Sequence, residues 1–173
     1  MDREVSLFDY AKEVVRGILN GTVLTVKGEE KTNAIMIAWG QVGNQWHIPL
    51  VTVYIKRSRY SHGLIDEAMN FTLNIPLGDR LDERTHIFGS RSGRDLDKIK
   101  ESGIPLLQSK TIPSPALDVP SLVLECRVIY RQEQDFSCIN DGRPMRSYPE
   151  SNPKEHQPHT MYQAEVLRAY IHE

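Results

Sequence analysis

The chain opens with apolar residues at helical spacing and then changes to a period of two. Tyr10, Ala11, Val14, Val15, Ile18 and Leu19 recur three and four apart, the stripe expected of an amphipathic helix within residues 1–20. Ser6 stands where a cap belongs, with Asp9 three residues on. Asn20-Gly21 supplies the stop, because glycine accepts the left-handed backbone that ends many helices. Residues 22–27 then predict a strand and 28–32 a polar turn. Residues 33–40 predict a second strand, so apolar that both of its faces must be covered. Residues 49–56 predict a third, rich in β-branched Val51, Thr52, Val53 and Ile55.

A short helix follows from Leu64, Ile65, Ala68 and Met69, and a strand from the alternation of Phe71, Leu73 and Ile75, closed by Pro76. Residues 79–88 and 94–101 predict two short helices on either side of a Gly-Ser-Arg-Ser-Gly turn at 89–93. Pro105, Pro113, Pro115 and Pro120 make the next stretch a loop or an extended edge. The cleanest strand is 122–131, with Leu122, Leu124, Cys126, Val128 and Tyr130 on one face. Residues 132–158 are polar and carry four prolines, which predicts a long variable loop. A last strand spans 160–170. Strands that succeed one another without long helices between them favour an antiparallel barrel over a doubly wound sheet. No Gly-x-Gly-x-x-Gly follows a strand, which argues against a dinucleotide-binding Rossmann domain.

The length of 173 residues suits one domain with a core of its own. Charge narrows the partners. With 21 Lys and Arg against 23 Asp and Glu, the formal charge is −2, so no bulk field draws nucleic acid or an anionic membrane. Any bound anion must be held by a local cluster. Of the two cysteines, Cys126 lies in an apolar run and reads as a buried free thiol; Cys138 lies in a polar loop. The opening residues lack the apolar core of a secretory signal, and no run approaches the ~20 apolar residues of a membrane span. A cytoplasmic protein with reduced thiols is expected.

The strongest local cluster is Lys56-Arg57-Ser58-Arg59-Tyr60-Ser61 at a strand–helix junction. Unpaired N–H groups, a hydroxyl and guanidinium forks there suit a phosphate. Taken alone, the cluster serves equally as a solvated basic turn. Ser90-Arg91-Ser92-Gly93-Arg94 is a second, weaker anion candidate, with Gly93 permitting close approach and Lys98 within reach. The apolar strand 33–40 could back a flat aromatic ligand, or simply be a core strand with a buried tryptophan. His156 and His159 find no third ligand, so no metal is expected, and no nucleophile elbow is evident.

Taken in order, Asn33-x-x-x-Ile37-Ala38-Trp39-Gly40, then Trp46, Pro49 and Thr52-Val53, resemble a known pattern. Ser58-Arg59-Tyr60, Ser92-Gly93-Arg94-Asp95 with Asp97-Lys98, and His159-Thr160-x-Tyr162 continue it. The chain from about residue 21 to 170 resembles the flavin reductase-like, FMN-binding split-barrel family. The resemblance implies a mainly β, Greek-key split barrel with a few peripheral helices, forming a homodimer with flavin mononucleotide (FMN) near the interface. It implies that Asn33 and the backbone of Met36, Ile37, Ala38 and Trp39 line the isoalloxazine. It implies further that Ser58 and Arg59, flanked by Arg57 and Tyr60, hold the phosphate, while Ser92, Gly93 and Lys98 close over the phosphate or ribityl chain. His159 either approaches the flavin or packs at its strand end. The family often has threonine at Met36 and proline at Arg57. The activity implied is hydride transfer from NADH or NADPH to flavin, with no catalytic side chain required. The alternatives are a non-enzymatic FMN carrier or binding module, and a split barrel that holds another phosphorylated ligand.

Overall fold

The computed structural model describes residues 2–153 and 155–173. A two-residue strand, β1 (Arg3–Glu4), and a 3-10 turn at Phe8–Tyr10 precede helix α1 (Ala11–Asn20). Gly21, at φ 99°, ends the helix as its sequence predicts. Strands β2 (Thr22–Lys27), β3 (Thr32–Ile37), β4 (Gly40–Gln45) and β5 (Ile48–Lys56) follow, then α2 (Tyr60–Ala68) and β6 (Asn70–Ile75). A 3-10 turn at Glu83–His86 leads into the short helices α3 (Ile87–Ser90) and α4 (Lys98–Ser102). The minor pair β7 (Leu106–Leu107) and β8 (Ala116–Leu117) comes next, then the long β9 (Ser121–Glu133). After a single-turn α5 (Gly142–Met145), β10 (His159–His172) completes the fold.

The main sheet runs β3-β2-β6-β9-β10-β5-β4, with β1 on β10 and every pairing antiparallel. Its two edge strands, β3 and β4, are consecutive in the chain, with only Ala38 and Trp39 between them. A two-residue link cannot span an open sheet of this width. The sheet must therefore curl until its edges meet, which makes a barrel split along the β3 side. Alternation on each strand fills the interior: Phe71 faces Cys126, Leu73 faces Leu124 and Ile75 faces Leu122 across β6 and β9, all fully buried. Val14 and Ile18 of α1 plug this core. A second cluster, of Val23, Ala34, Phe88, Ile104, Leu117 and Val119, covers the outside of β2 and β3. Both faces of β3 are thus packed, as its unbroken apolar run predicts.

Four expectations need correction. The strand anticipated over 33–40 is two elements, because the chain turns a corner at Ala38–Trp39. The strand β4, of composition GQVGNQ, was not expected, since an edge strand exposed along most of its length has no apolar alternation to betray it. Gly40 permits that corner: a Cβ there would lie 2.7 Å from the Thr52 carbonyl. The β4–β5 hairpin turns through Trp46 and His47, both at positive φ (54° and 60°), so none of the usual Asn-Gly signals marks it. The helices expected over 79–88 and 94–101 are confined to 83–90 and 98–102. Tyr130 is exposed rather than interior, because β9 bulges at Ile129 between the Val128–Ala164 and Tyr130–Gln163 pairs, which turns the residues beyond it to the other face.

Candidate functional site

The N-terminus of α2 lies at the end of β5, and no side chain caps it. It therefore presents the unpaired N–H groups and partial positive charge of a helix start. That end lines a cleft of about 460 Å³ together with β3 and the 88–95 loop. Asn33, Met36, Ser58, Arg59, Tyr60, Ser92, Gly93 and Lys98, eight of the residues singled out from sequence, line this one cleft. Strand pairing and a helix start bring together groups up to 65 positions apart (33 to 98).

Contacts hold the walls. Asn33 Nδ2 donates to Ser61 Oγ at 2.8 Å, tying β3 to α2. Lys31 Nζ donates to the Gly93 carbonyl at 2.8 Å, and Arg94 donates to the Ser58 carbonyl at 2.8 Å. Both cations also lie over the Tyr60 ring, at 5.2 and 5.8 Å from its centroid. Gly93 has no room for a side chain, since a Cβ would stand 2.4 Å from Asn33 Oδ1 and 2.8 Å from Tyr60 Cδ1. Lys98 is buried, with Nζ donating to the Phe88 carbonyl at 3.3 Å. Burial and the nearby Arg59 charge pull its pKa down to about 8.

A second lobe of about 190 Å³ adjoins the first and shares Ile35, Met36 and Arg59 with it. It sits at the split of the barrel, between the end of β3 with the Ala38–Trp39 corner and the end of β5, and Ile37 and His159 also line it. Its walls combine apolar side chains of β3 and β5 with the Tyr54 and His159 rings and the cationic Lys56 and Arg59. The His159 ring lies 4.6 Å from that of Trp39, and its Nδ1 is 2.9 Å from Tyr148 Oη. Tyr148 Oη in turn donates to Gln134 Oε1 at 3.0 Å. Burial, with Lys56 and Arg59 close by, lowers the His159 pKa to about 4, so the imidazole is neutral near pH 7. His159 packs on Trp39 at its strand end and also lines the lobe.

Arg57 is the exception among the expected residues. Its guanidinium points to Glu133 at 3.3 Å and lines neither lobe. The chain turns directly after β5, and in that turn the Arg57 side chain goes to Glu133 while Ser58, Arg59 and Tyr60 line the cleft. Sequence reasoning missed Tyr54, Tyr148 and Glu155, and read Lys56 only as part of the anion cluster. Lys56, inside the basic cluster, lines the second lobe and binds Glu155 of the 132–158 loop. Tyr148 is buried although its neighbours are polar and proline-rich; a lone large aromatic in such a loop was the available signal. The loop is thereby docked on the barrel. A wider groove of about 1050 Å³, lined mainly by residues 79–86, shares Met36 with the cleft and carries mixed charges, with Arg84 paired to Asp82.

The donors and steric limits of the first lobe fit a phosphate, and the second lobe, lined by Ile35, Met36, Trp39 and His159, suits an aromatic ring. Among the described residues no helix is long and apolar enough to cross a membrane.

Comparison with known proteins agrees with this geometry. The family model for the flavin reductase like domain matches residues 19–173. An uncharacterized protein of Archaeoglobus fulgidus is 32% identical over 112 residues, which cover 65% of this chain and 62% of that protein. The chain thus matches about three fifths of this curated relative's length. Among solved structures, an FMN-binding domain of a flavin reductases-like enzyme from Shewanella baltica superposes with a TM-score of 0.69 at 16% identity, covering 99% of this chain and 77% of that one. Flavoredoxin of Desulfovibrio vulgaris gives 0.65 at 16%, covering 88% and 69%. An NADH:FAD oxidoreductase of Streptomyces globisporus gives 0.62 at 15%, covering 86% and 73%. At such identities these likenesses are of fold. With a family model matched over nearly its whole length and an antiparallel split barrel to carry it, the chain belongs to the flavin reductase-like domain family.

Proposed function

We propose that the chain binds FMN across the two lobes and works as a flavin oxidoreductase reduced by NADH or NADPH. The observation that carries this reading is that a cationic, glycine-walled lobe and a lobe at the barrel split share Ile35, Met36 and Arg59 as a common wall. Bound FMN would supply the redox chemistry, taking a hydride from the nicotinamide ring. The chain supplies position and electrostatics. Ser58, Arg59, Lys98 and the start of α2 hold the phosphate, and Gly93 lets the 88–95 loop close on it. Backbone of Met36 to Trp39 borders the ring, and neutral His159 adds a polar edge without a charge.

A further recess of about 410 Å³ shares Ala38, Trp39 and Tyr54 with the ring lobe and is lined by Val15, Leu19 and Gln134 as well. It supports the docking of a nicotinamide ring beside the flavin. Val15, Leu19 and Trp39 are exposed around it, and such an apolar patch also supports the homodimer implied by the resemblance. The second reading is an electron carrier reduced by a partner protein, which the likeness to a flavoredoxin supports.

The test is anaerobic. The protein is loaded with FMN, NADH or NADPH is added, and the yellow absorbance is followed. Bleaching faster than that of free FMN is expected. Bound flavin that stays yellow overturns the reductase reading in favour of the carrier. FMN is also expected to bind more tightly than riboflavin, and equal affinities would remove the phosphate from the argument.

A further inference from the structure

Lys56 is a buried amine at the wall of the ring lobe. It is the last residue of β5, stands opposite His159 in the β10 register, and is 5% exposed. Burying an ammonium is unfavourable unless it is paired, and Lys56 is paired from one side only. Its Nζ donates to the Glu155 carboxylate and, at 3.2 Å, to the Glu155 carbonyl. The Tyr148 ring centroid lies 5.5 Å from it. Arg59 reaches the other oxygen of the same carboxylate at 3.9 Å.

Two cations therefore share one anion. Among the described residues, the charged groups on or bonded to this lobe's walls are Lys56, Arg59 and Glu155. His159 stays neutral near pH 7, and Tyr54 and Tyr148, whose pKa values burial raises, stay protonated. The lobe thus holds one uncompensated positive charge, at a mouth that α2 already makes positive.

Hydride transfer breaks a C–H bond of the dihydronicotinamide and delivers two electrons and one proton to the flavin ring. The donor leaves as the oxidised nucleotide, and the ring is left with a negative charge unless a further proton follows. From the placement of Lys56 we infer that it stabilises this charge, and that Glu155 of the 132–158 loop sets how strongly it does so. The pair makes the flavin's reduction potential a property of loop docking: with Glu155 engaged the lobe is less positive, and with Glu155 withdrawn it is more so. This inference rests on the FMN-binding reading above and goes beyond it by assigning a function to the loop.

The experiment measures the dissociation constants of oxidised and reduced FMN anaerobically at pH 7.5, together with the midpoint potential of the bound flavin. In Lys56→Met, binding of reduced FMN is expected to weaken about tenfold more than binding of oxidised FMN. That lowers the potential by about 30 mV for a two-electron couple. Glu155→Gln, at a partly exposed position, is expected to move the potential the opposite way, and Lys56→Arg to retain most of the wild-type value. Should Lys56→Met fail to fold, the rise in Glu155→Gln carries the test alone. The inference is overturned if the ratio of the two constants stays within about twofold of wild type, or if both charge-removing variants shift it in one direction. A wild-type protein that takes up no FMN would instead sink the binding reading itself, and this inference with it.

Discussion

Gly93→Ala probes the cleft with one methyl group. The added carbon would stand 2.4 Å from Asn33 Oδ1, 2.8 Å from Asn33 Cγ and 2.8 Å from Tyr60 Cδ1. Ordinary contacts of this kind lie near 3.5 Å, so something must move by roughly 1 Å. Asn33 cannot yield easily, being fixed by the β2–β3 register (Val26 opposite Asn33) and by its bond to Ser61. Tyr60 opens α2 and is equally set. The 91–94 loop is the element that gives way, and it takes with it the Lys31 bond to the Gly93 carbonyl and the Arg94 bond to the Ser58 carbonyl.

Overpacking of this size typically destabilises by about 1–3 kcal/mol. Opening the loop should weaken FMN about tenfold or more, each tenfold being about 1.4 kcal/mol. Fluorescence titration of FMN and a thermal melt read the two effects. Gly63→Ala is the control. It lies within α2 with open space around its Cβ, so it should raise stability by about 0.5–1 kcal/mol and leave the FMN dissociation constant unchanged. A Gly93→Ala protein that binds FMN as wild type does would refute the placement of the phosphate under this loop.

Other perturbations test separate parts of the molecule. Arg59→Ala should weaken FMN by about 1.5–3 kcal/mol, as expected for a charged hydrogen bond, while riboflavin affinity barely changes; equal losses for both ligands would remove Arg59 from the phosphate. Lys98, with its pKa near 8 in the free protein, is cationic below that pH and neutral above it, whereas a phosphate monoester stays dianionic throughout. Binding above pH 8 must therefore take up a proton, so FMN affinity should fall as pH rises through 8 and on toward the pKa of the loaded state. Lys98→Met should flatten that profile, and a decline that survives the substitution would point to another group. Arg168→Met should destabilise the fold by about 3–5 kcal/mol, because it strands Glu125, which is fully buried and bonded to Arg168 at 2.8 Å. A melt shifted no more than that of an exposed-residue control would show that the four donor bonds from Lys110 and Thr111 suffice for Glu125.

What sequence determined by itself was local. The period-two runs at 22–27, 49–56, 71–75 and 122–131 gave strands because alternation follows directly from which face is buried. Gly21 gave a helix end because its φ is open to few other residues. The basic, serine-bearing stretch 56–61 was legible as a cluster of donors because a strand–helix junction brings them together within six residues. Even the covering of both faces of β3 could be read from its apolar run.

Only tertiary structure decided the rest. Strand β4 has no pattern of its own and exists because β5 pairs with it. The corner at Ala38–Trp39 follows from the requirement that the two edge strands meet, which no local propensity expresses. Arg57 and Ser58 are equivalent as sequence neighbours, yet the turn sends one guanidinium to Glu133 and the other side chain to the cleft. Lys56 and Glu155 are 99 positions apart, and their pairing depends on a loop whose composition reads as solvent-exposed. Burial by distant parts of the chain, not residue type, is what makes Lys56, Lys98 and His159 members of one site.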